Sequence, residues 1–265
     1  FPNLDNIIIT DNAELAFTGS DYILLVGAKP RSKGMQRADL LLDNANIFQK
    51  HAVIINQCVS SDAKIIVVGN PANTNALIVQ NFATNIPSKN ITSLMKLDQN
   101  RAKSILSNKL NTSVSQISQL VVWGNHSATQ FPDLNHSLVS NNNKPIKSLD
   151  QIWIEDAFIP RVQKRGAEII EHRGKSSAAS AASAIYDHLD ILVNGSKDWE
   201  SMGVMMKNTY NISDEIFFSF PLQILDSNIG IINGLDVSEI SMKYIKDSEK
   251  ELLMERDIIK DILKG

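Results

Sequence analysis

Hydrophobic positions in the first hundred residues fall in short unbroken runs, separated by stretches with helical spacing. IIIT (7–10), YILLVG (22–27), KIIVVG (64–69) and ITSLMK (91–96) read as strands. Their continuity, in place of strict alternation, predicts strands buried on both faces of a parallel sheet. Residues 35–58 and 74–83 lie between them and are helical in length and spacing. Strands alternating with helical crossovers of this size predict a doubly wound α/β sheet. Two strands end in glycine followed by a polar loop, VGAKPR and VGNPAN. Ligands of such sheets lie beyond the carboxyl ends of the strands, so these loops are the first candidates for a site.

From about Asp98 the rhythm changes. A helix over 98–110 leads to the strand LVVW (120–123) and the loop GNHSATQFPD. Longer helices are predicted over 149–173 and, rich in alanine and serine, over 176–192. The short strands GVMMK (203–207) and IFFSF (216–220) precede a final helix over 237–263. This half reads as an α+β unit, which predicts one domain over 1–96 and a second over 97–265.

Composition narrows the function classes. Apolar residues make up 43% of the 265 residues and charged residues 21%, which is globular in character. A net charge of −3 argues against a dedicated nucleic-acid binder. The longest apolar runs, 22–28 and 65–69, are too short to span a bilayer, so no membrane partner is expected. A single cysteine, Cys58, leaves no internal disulfide framework and suits a reducing, cytoplasmic setting.

Four local patterns carry possible chemistry. VGAKPRSKGMQR places Arg31, Lys33 and Arg37 around a helix start. There they read equally as an anion site and as solvated surface cations. In LDQNR, Asp98 and Arg101 are three apart and share a helix face, although Asp98 is also a plausible N-cap. His126 sits in a loop just past a buried strand, where proton transfer and an incidental histidine are both open readings. Asn70 lies between a strand and a proline, a position that also suits a plain turn residue. His51, His136, His172 and His188 share no metal-ligand spacing, and no metal is expected.

Taken in order, GAxPRxxGMxR, VGNPANTN, LDxNRA, WGNHS and SSAASAAS resemble the NAD-dependent malate dehydrogenases, in the branch that includes animal cytosolic and some bacterial enzymes. The similarity runs from Asp11 to the C-terminal helix. It implies a Rossmann-type doubly wound sheet followed by an α+β catalytic domain, NAD as cofactor, and a homodimer. The implied reaction is reversible hydride transfer between (S)-malate and NAD, giving oxaloacetate and NADH. By the same resemblance His126 is the general base and Asp98 its orienting carboxylate. Arg101 grips one substrate carboxylate, Arg31 the other, and Arg37 polarises the reacting carbonyl. Asn70 touches substrate and nicotinamide, Val68, Gly69 and Asn44 contact the cofactor, and Ser177 lines the substrate pocket.

Three departures from the family pattern stand out. His51 replaces a common glutamine at a cofactor contact, and Gln99 replaces a common histidine between Asp98 and Arg101. No glycine-rich dinucleotide loop and no ribose-binding acidic residue is found. In the family both lie upstream of the position of Phe1, so the resemblance implies that a first βαβ unit of roughly 60 residues is absent and the Rossmann sheet incomplete. Two other readings stay open: a different 2-hydroxyacid dehydrogenase of the superfamily, and a non-catalytic dicarboxylate-binding or scaffold protein on the same fold.

Overall fold

The structure is a computed structural model that describes residues 2–30, 37–139, 144–146, 149–226 and 228–264. Helix α1 (Ala13–Phe17) precedes strand β1 (Tyr22–Leu25), α2 (Arg37–Cys58), β2 (Lys64–Val67), α3 (Ala72–Phe82), β3 (Ile91–Leu94) and α4 (Lys96–Leu110). Short strands follow at β4 (Ile117–Ser118), β5 (Val121–Trp123), β6 (Phe131–Asp133), β7 (Leu138–Val139) and β8 (Lys144–Pro145). The chain then forms α5 (Gln151–Trp153), α6 (Ile159–Arg173) and α7 (Ala179–Asn194). It ends with β9 (Glu200–Val204), β10 (Phe218–Leu225), β11 (Asn228–Ile231) and α8 (Glu239–Leu263).

One six-stranded sheet, ordered β1-β2-β3-β9-β10-β11, forms the frame. β1, β2 and β3 are parallel, with Leu25 opposite Val67 and Val67 opposite Ser93. The sheet then continues antiparallel into the second half, where β3 pairs with β9 at Ser93↔Gly203 and Leu94↔Met202. Gly203 is required there, because a Cβ would collide with the Ser93 side chain. Helices α2 and α3 pack together on the parallel part, and their core takes in Phe48, Ile55, Ile78 and, from the far end of the chain, Ile259 of α8. A second core gathers around Trp123, Phe158 and Phe220.

Several expectations need correction. IIIT is not a strand: Ile7, Ile8 and Ile9 are 66, 67 and 94% exposed and pair with nothing among the described residues. A β-prone run becomes a strand only when an edge offers it hydrogen bonds and a core takes one face. β1 is buried on one face only, with Ile23 and Leu25 inside and Tyr22 and Leu24 outside. It is an end strand of the sheet, and helices cover it from one side. The helix over 149–173 widens to a π turn at Ile154–Phe158, just before Pro160, which lacks the N–H that a regular turn needs. Ser177 precedes α7 instead of lying within it. The strand at 203–207 begins earlier, at Glu200, and IFFSF shifts to Phe218–Leu225, where a hairpin to β11 extends it.

His188 of α7 carries a stability prediction. Its ring is fully buried, with Nε2 2.9 Å from Thr92 Oγ1 and Nδ1 without a partner among the described residues. Burial, aided by nearby Lys96, lowers its pKa to about 3. The unfolded chain binds a proton near pH 6.5 and the folded chain does not, so stability is lost as pH falls from about 6.5 towards 3. By pH 5 this group alone should remove about 2 kcal/mol. His188→Gln keeps a partner for Thr92 and does not titrate, so its urea midpoint should fall less between pH 7 and 5. Equal losses in both proteins would contradict this account.

Candidate active site

Three loops meet at the carboxyl ends of β1, β2 and β3. After β2, the amides of Val68 and Gly69 both donate to the Leu25 carbonyl at 3.0 Å, which stitches the two strand ends together. Gly69 is constrained by packing, since a Cβ there would come within 2.9 Å of Ala28 Cβ and 3.0 Å of Phe48. After β1, Lys29 is strapped to α2: its N–H donates to Asn44 Oδ1 at 2.7 Å, and Asn44 Nδ2 donates back to its carbonyl at 3.2 Å. Asn44 is fully buried, so its amide holds the root of the loop that carries Arg31. Arg31 and the side chain of Arg37 lie outside the described residues.

The third element is α4. Asp98 and Arg101, one turn apart, share a face as their spacing predicts, and Asp98 Oδ1 accepts from Arg101 Nη1 at 3.3 Å. Its other oxygen, Oδ2, is hydrogen-bonded to Nδ1 of His126, which arrives from the loop after β5. Arg101 Nη2 lies 3.5 Å from Ser177 Oγ. The structure thus brings Asp98, Arg101, His126 and Ser177 together from three separate stretches of chain. Asn70 and Pro71 share with His126 the lining of an open cavity of about 140 Å³, which Leu40, Leu41 and Glu255 also border.

Electrostatics suits this cluster to proton transfer. Burial by itself raises the Asp98 carboxyl, but His126, then Arg101, and a hydrogen bond from Gln130 hold it below the usual carboxylate range. Burial lowers the His126 ring, and Asp98 more than reverses this, leaving it above the ordinary histidine value. An ionised Asp98 accepts the Nδ1 proton, so neutral His126 carries its lone pair on Nε2. A carboxylate, an imidazole and a guanidinium in such contact can move one proton beside a bound anion.

Two positions that depart from the resemblance take structural work. Gln99 is fully buried, and its Nε2 donates to the carbonyls of Leu120 and Trp199, both at 2.9 Å, so it braces α4 on the neighbouring strands. His51 packs edge-on against Phe17, with ring centroids 5.8 Å apart. Residues that sequence reasoning missed also emerge. Asn73 accepts the His126 N–H at 3.1 Å while its Nδ2 donates to the carbonyls of Gly124 and Phe217. The only sequence signal for it is its place in NPANTN.

Comparison with known proteins places this architecture. Residues 1–92 match the lactate/malate dehydrogenase NAD-binding domain, and residues 95–262 match the alpha/beta C-terminal domain of that same family. The chain belongs to the lactate/malate dehydrogenase family. It is therefore an NAD-linked oxidoreductase. Among solved structures, it is 41% identical to malate dehydrogenase from Naegleria fowleri, with a TM-score of 0.93, over 98% of this chain and 80% of that one. It is 31% identical to Trichomonas vaginalis lactate dehydrogenase in complex with NADH and oxamate, with a TM-score of 0.94, over all of this chain and 82% of the other. Malate dehydrogenase from Picrophilus torridus is 26% identical, with a TM-score of 0.82 over 94% of this chain.

The exposed residues at the strand ends suit one side of the family's cofactor. Gly27 faces open space, where a Cβ would meet nothing within 4 Å, and Val26 beside it is 52% exposed. Together with half-buried Val68 and the exposed Asn70, they present an apolar floor and an amide at the crevice where dinucleotides bind in such sheets.

Proposed function

We propose that this family member is a malate dehydrogenase, interconverting (S)-malate and oxaloacetate. The observation that carries the reading is the Asp98–His126–Arg101 cluster beside Asn70, combined with the presence of Arg31 in the sequence two residues after Lys29. A C4 dicarboxylate has two carboxylates and a reacting oxygen. The sequence offers one arginine for each, with Arg101 and Arg31 for the carboxylates and Arg37 over the oxygen. A pyruvate site has no use for a cation at Arg31, and a desolvated arginine left unpaired is costly.

In this reading His126 Nε2 takes the proton of the malate hydroxyl, and Asp98 stabilises the imidazolium that forms. In the reverse direction the imidazolium returns the proton to the carbonyl oxygen. Arg101 fixes the near carboxylate and thereby the reacting carbon, and Ser177 borders the same guanidinium. Val68, Gly69 and Asn70 hold the cofactor end nearest His126, and Asn44 acts on the site by anchoring the loop root. The chemistry NAD supplies when bound is acceptance of the hydride from the hydroxyl carbon.

Initial rates of NADH oxidation with oxaloacetate and with pyruvate test the proposal. The expected result is a kcat/KM at least about 10²-fold higher for oxaloacetate, given what a site built for a polar group gains over an analogue lacking it. Equal rates, or a preference for pyruvate, would return the protein to the lactate dehydrogenases of its family.

A further inference from the structure

We propose that Glu251 of the C-terminal helix α8 is a positioning residue for His126, clamping from behind the loop that carries it; the inference rests on the dehydrogenase reading above. Glu251 is remote from the site in sequence, yet one of its oxygens gathers alternate residues of that loop. Oε2 accepts from Asn125 Nδ2 at 3.0 Å, from Thr129 Oγ1 at 2.6 Å, and from Ser127 Oγ. Asn125 and Ser127 are the immediate neighbours of His126, so the clamp closes on both sides of it.

The same helix reinforces the grip. Ser248 Oγ, one turn earlier and fully buried, accepts the Asn125 N–H at 2.8 Å and lies 3.1 Å from Thr129 Oγ1. Glu255, one turn later and 2% exposed, accepts from Asn125 Nδ2 at 3.3 Å and from the Thr74 hydroxyl of α3. Gly124, which opens the loop, has φ +95° and no room for a Cβ against the Ser248 side chain. Across the loop, Asn73 holds the His126 N–H. With its backbone held on both sides, the imidazole is placed where its Nδ1 meets Asp98.

Three donors meet on one oxygen, an arrangement suited to a carboxylate, whose oxygens are strong acceptors. Glutamine has the same shape, but its uncharged amide oxygen accepts the three donors more weakly than a carboxylate does. Reaction geometry tolerates displacements of only about 0.5 Å. Glu251→Gln should therefore lower kcat by about tenfold or more. KM for oxaloacetate and the Kd for NADH should change less than about twofold, because no residue assigned to either is touched. The apparent pKa in the pH profile of malate oxidation should fall towards the ordinary histidine value as His126 loosens from Asp98.

The experiment compares the wild type, Glu251→Gln and Thr129→Val by steady-state kinetics, NADH fluorescence titration and thermal unfolding, with kcat expressed per NADH-binding site. Thr129→Val removes a donor from the loop side and leaves α8 intact, so it should reproduce the fall in kcat and the pKa shift even if Glu251→Gln folds poorly. A merely structural role predicts a lower Tm with kcat per site and pH profile unchanged in both variants, and that result overturns the proposal. A wild type that turns over neither oxaloacetate nor pyruvate overturns the dehydrogenase reading instead, and the proposal with it.

Discussion

Replacing His126 with asparagine is expected to lower turnover in both directions by about 10²–10⁴-fold, the usual cost of removing a general base. Asparagine can still meet Asp98 through its amide, so the fold and the Arg101 contact should survive, and the KM for oxaloacetate should move little. The loss falls on kcat because Asp98, held ionised below the usual carboxylate range, cannot take over the proton transfer. The wild-type pH dependence follows from the same contacts. His126 titrates above the ordinary histidine value, so the imidazolium that oxaloacetate reduction needs is populated below that raised pKa and is lost as pH rises through it. Malate oxidation needs the neutral ring and should rise over the same interval. His126→Asn should remove this ionisation from the kcat/KM profile of malate oxidation. Turnover within about tenfold of wild type, with the ionisation intact, would sink the role assigned to His126.

Arg31→Gln is the second large effect, and it falls on selectivity. Glutamine is neutral and cannot form the bidentate fork that a carboxylate accepts from arginine. Oxaloacetate should lose about 10²–10³-fold in kcat/KM, the range seen when one partner of a desolvated charge pair is removed. Pyruvate lacks the second carboxylate, so its kcat/KM should hold or rise. The oxaloacetate-to-pyruvate ratio is the measurement, and a ratio unchanged from wild type would mean that Arg31 does not read the distal carboxylate.

How far the chain could be read before its structure depended on the range of the interactions. Strands β1 and β2 were legible because a continuous apolar run ending in glycine is a local pattern, and β3 and the intervening helices because strand-forming runs and helical spacing are local too. Asp98 and Arg101 were legible for the same reason, since a three-residue spacing on a helix places two side chains on one face. The family motifs pointed to His126 and Asn70, but no spacing rule could bring His126 from the end of β5 onto Asp98. That contact exists because β5 packs against β9 and β10, and β9 pairs with β3, the strand that leads into α4.

The remaining outcomes were decided by partners distant in sequence. IIIT has the composition of a strand, yet strand formation is a property of a pair, and the described chain offers it none. Asn44 reads as a cofactor contact by resemblance, and only folding shows that its amide also straps the Lys29 backbone. Gln99 looks like a departure in the middle of a catalytic motif, but the turn of α4 directs it away from the site to brace two carbonyls. Glu251 has the look of an ordinary charged position on a long amphipathic helix, and only the docking of α8 places it behind the His126 loop. The sequence by itself determined which residues could do the chemistry, because residue type and short-range spacing are local. Tertiary structure decided which of them meet and what holds them there, because a hydrogen bond depends on ångström-scale placement that the chain acquires only when distant elements pack.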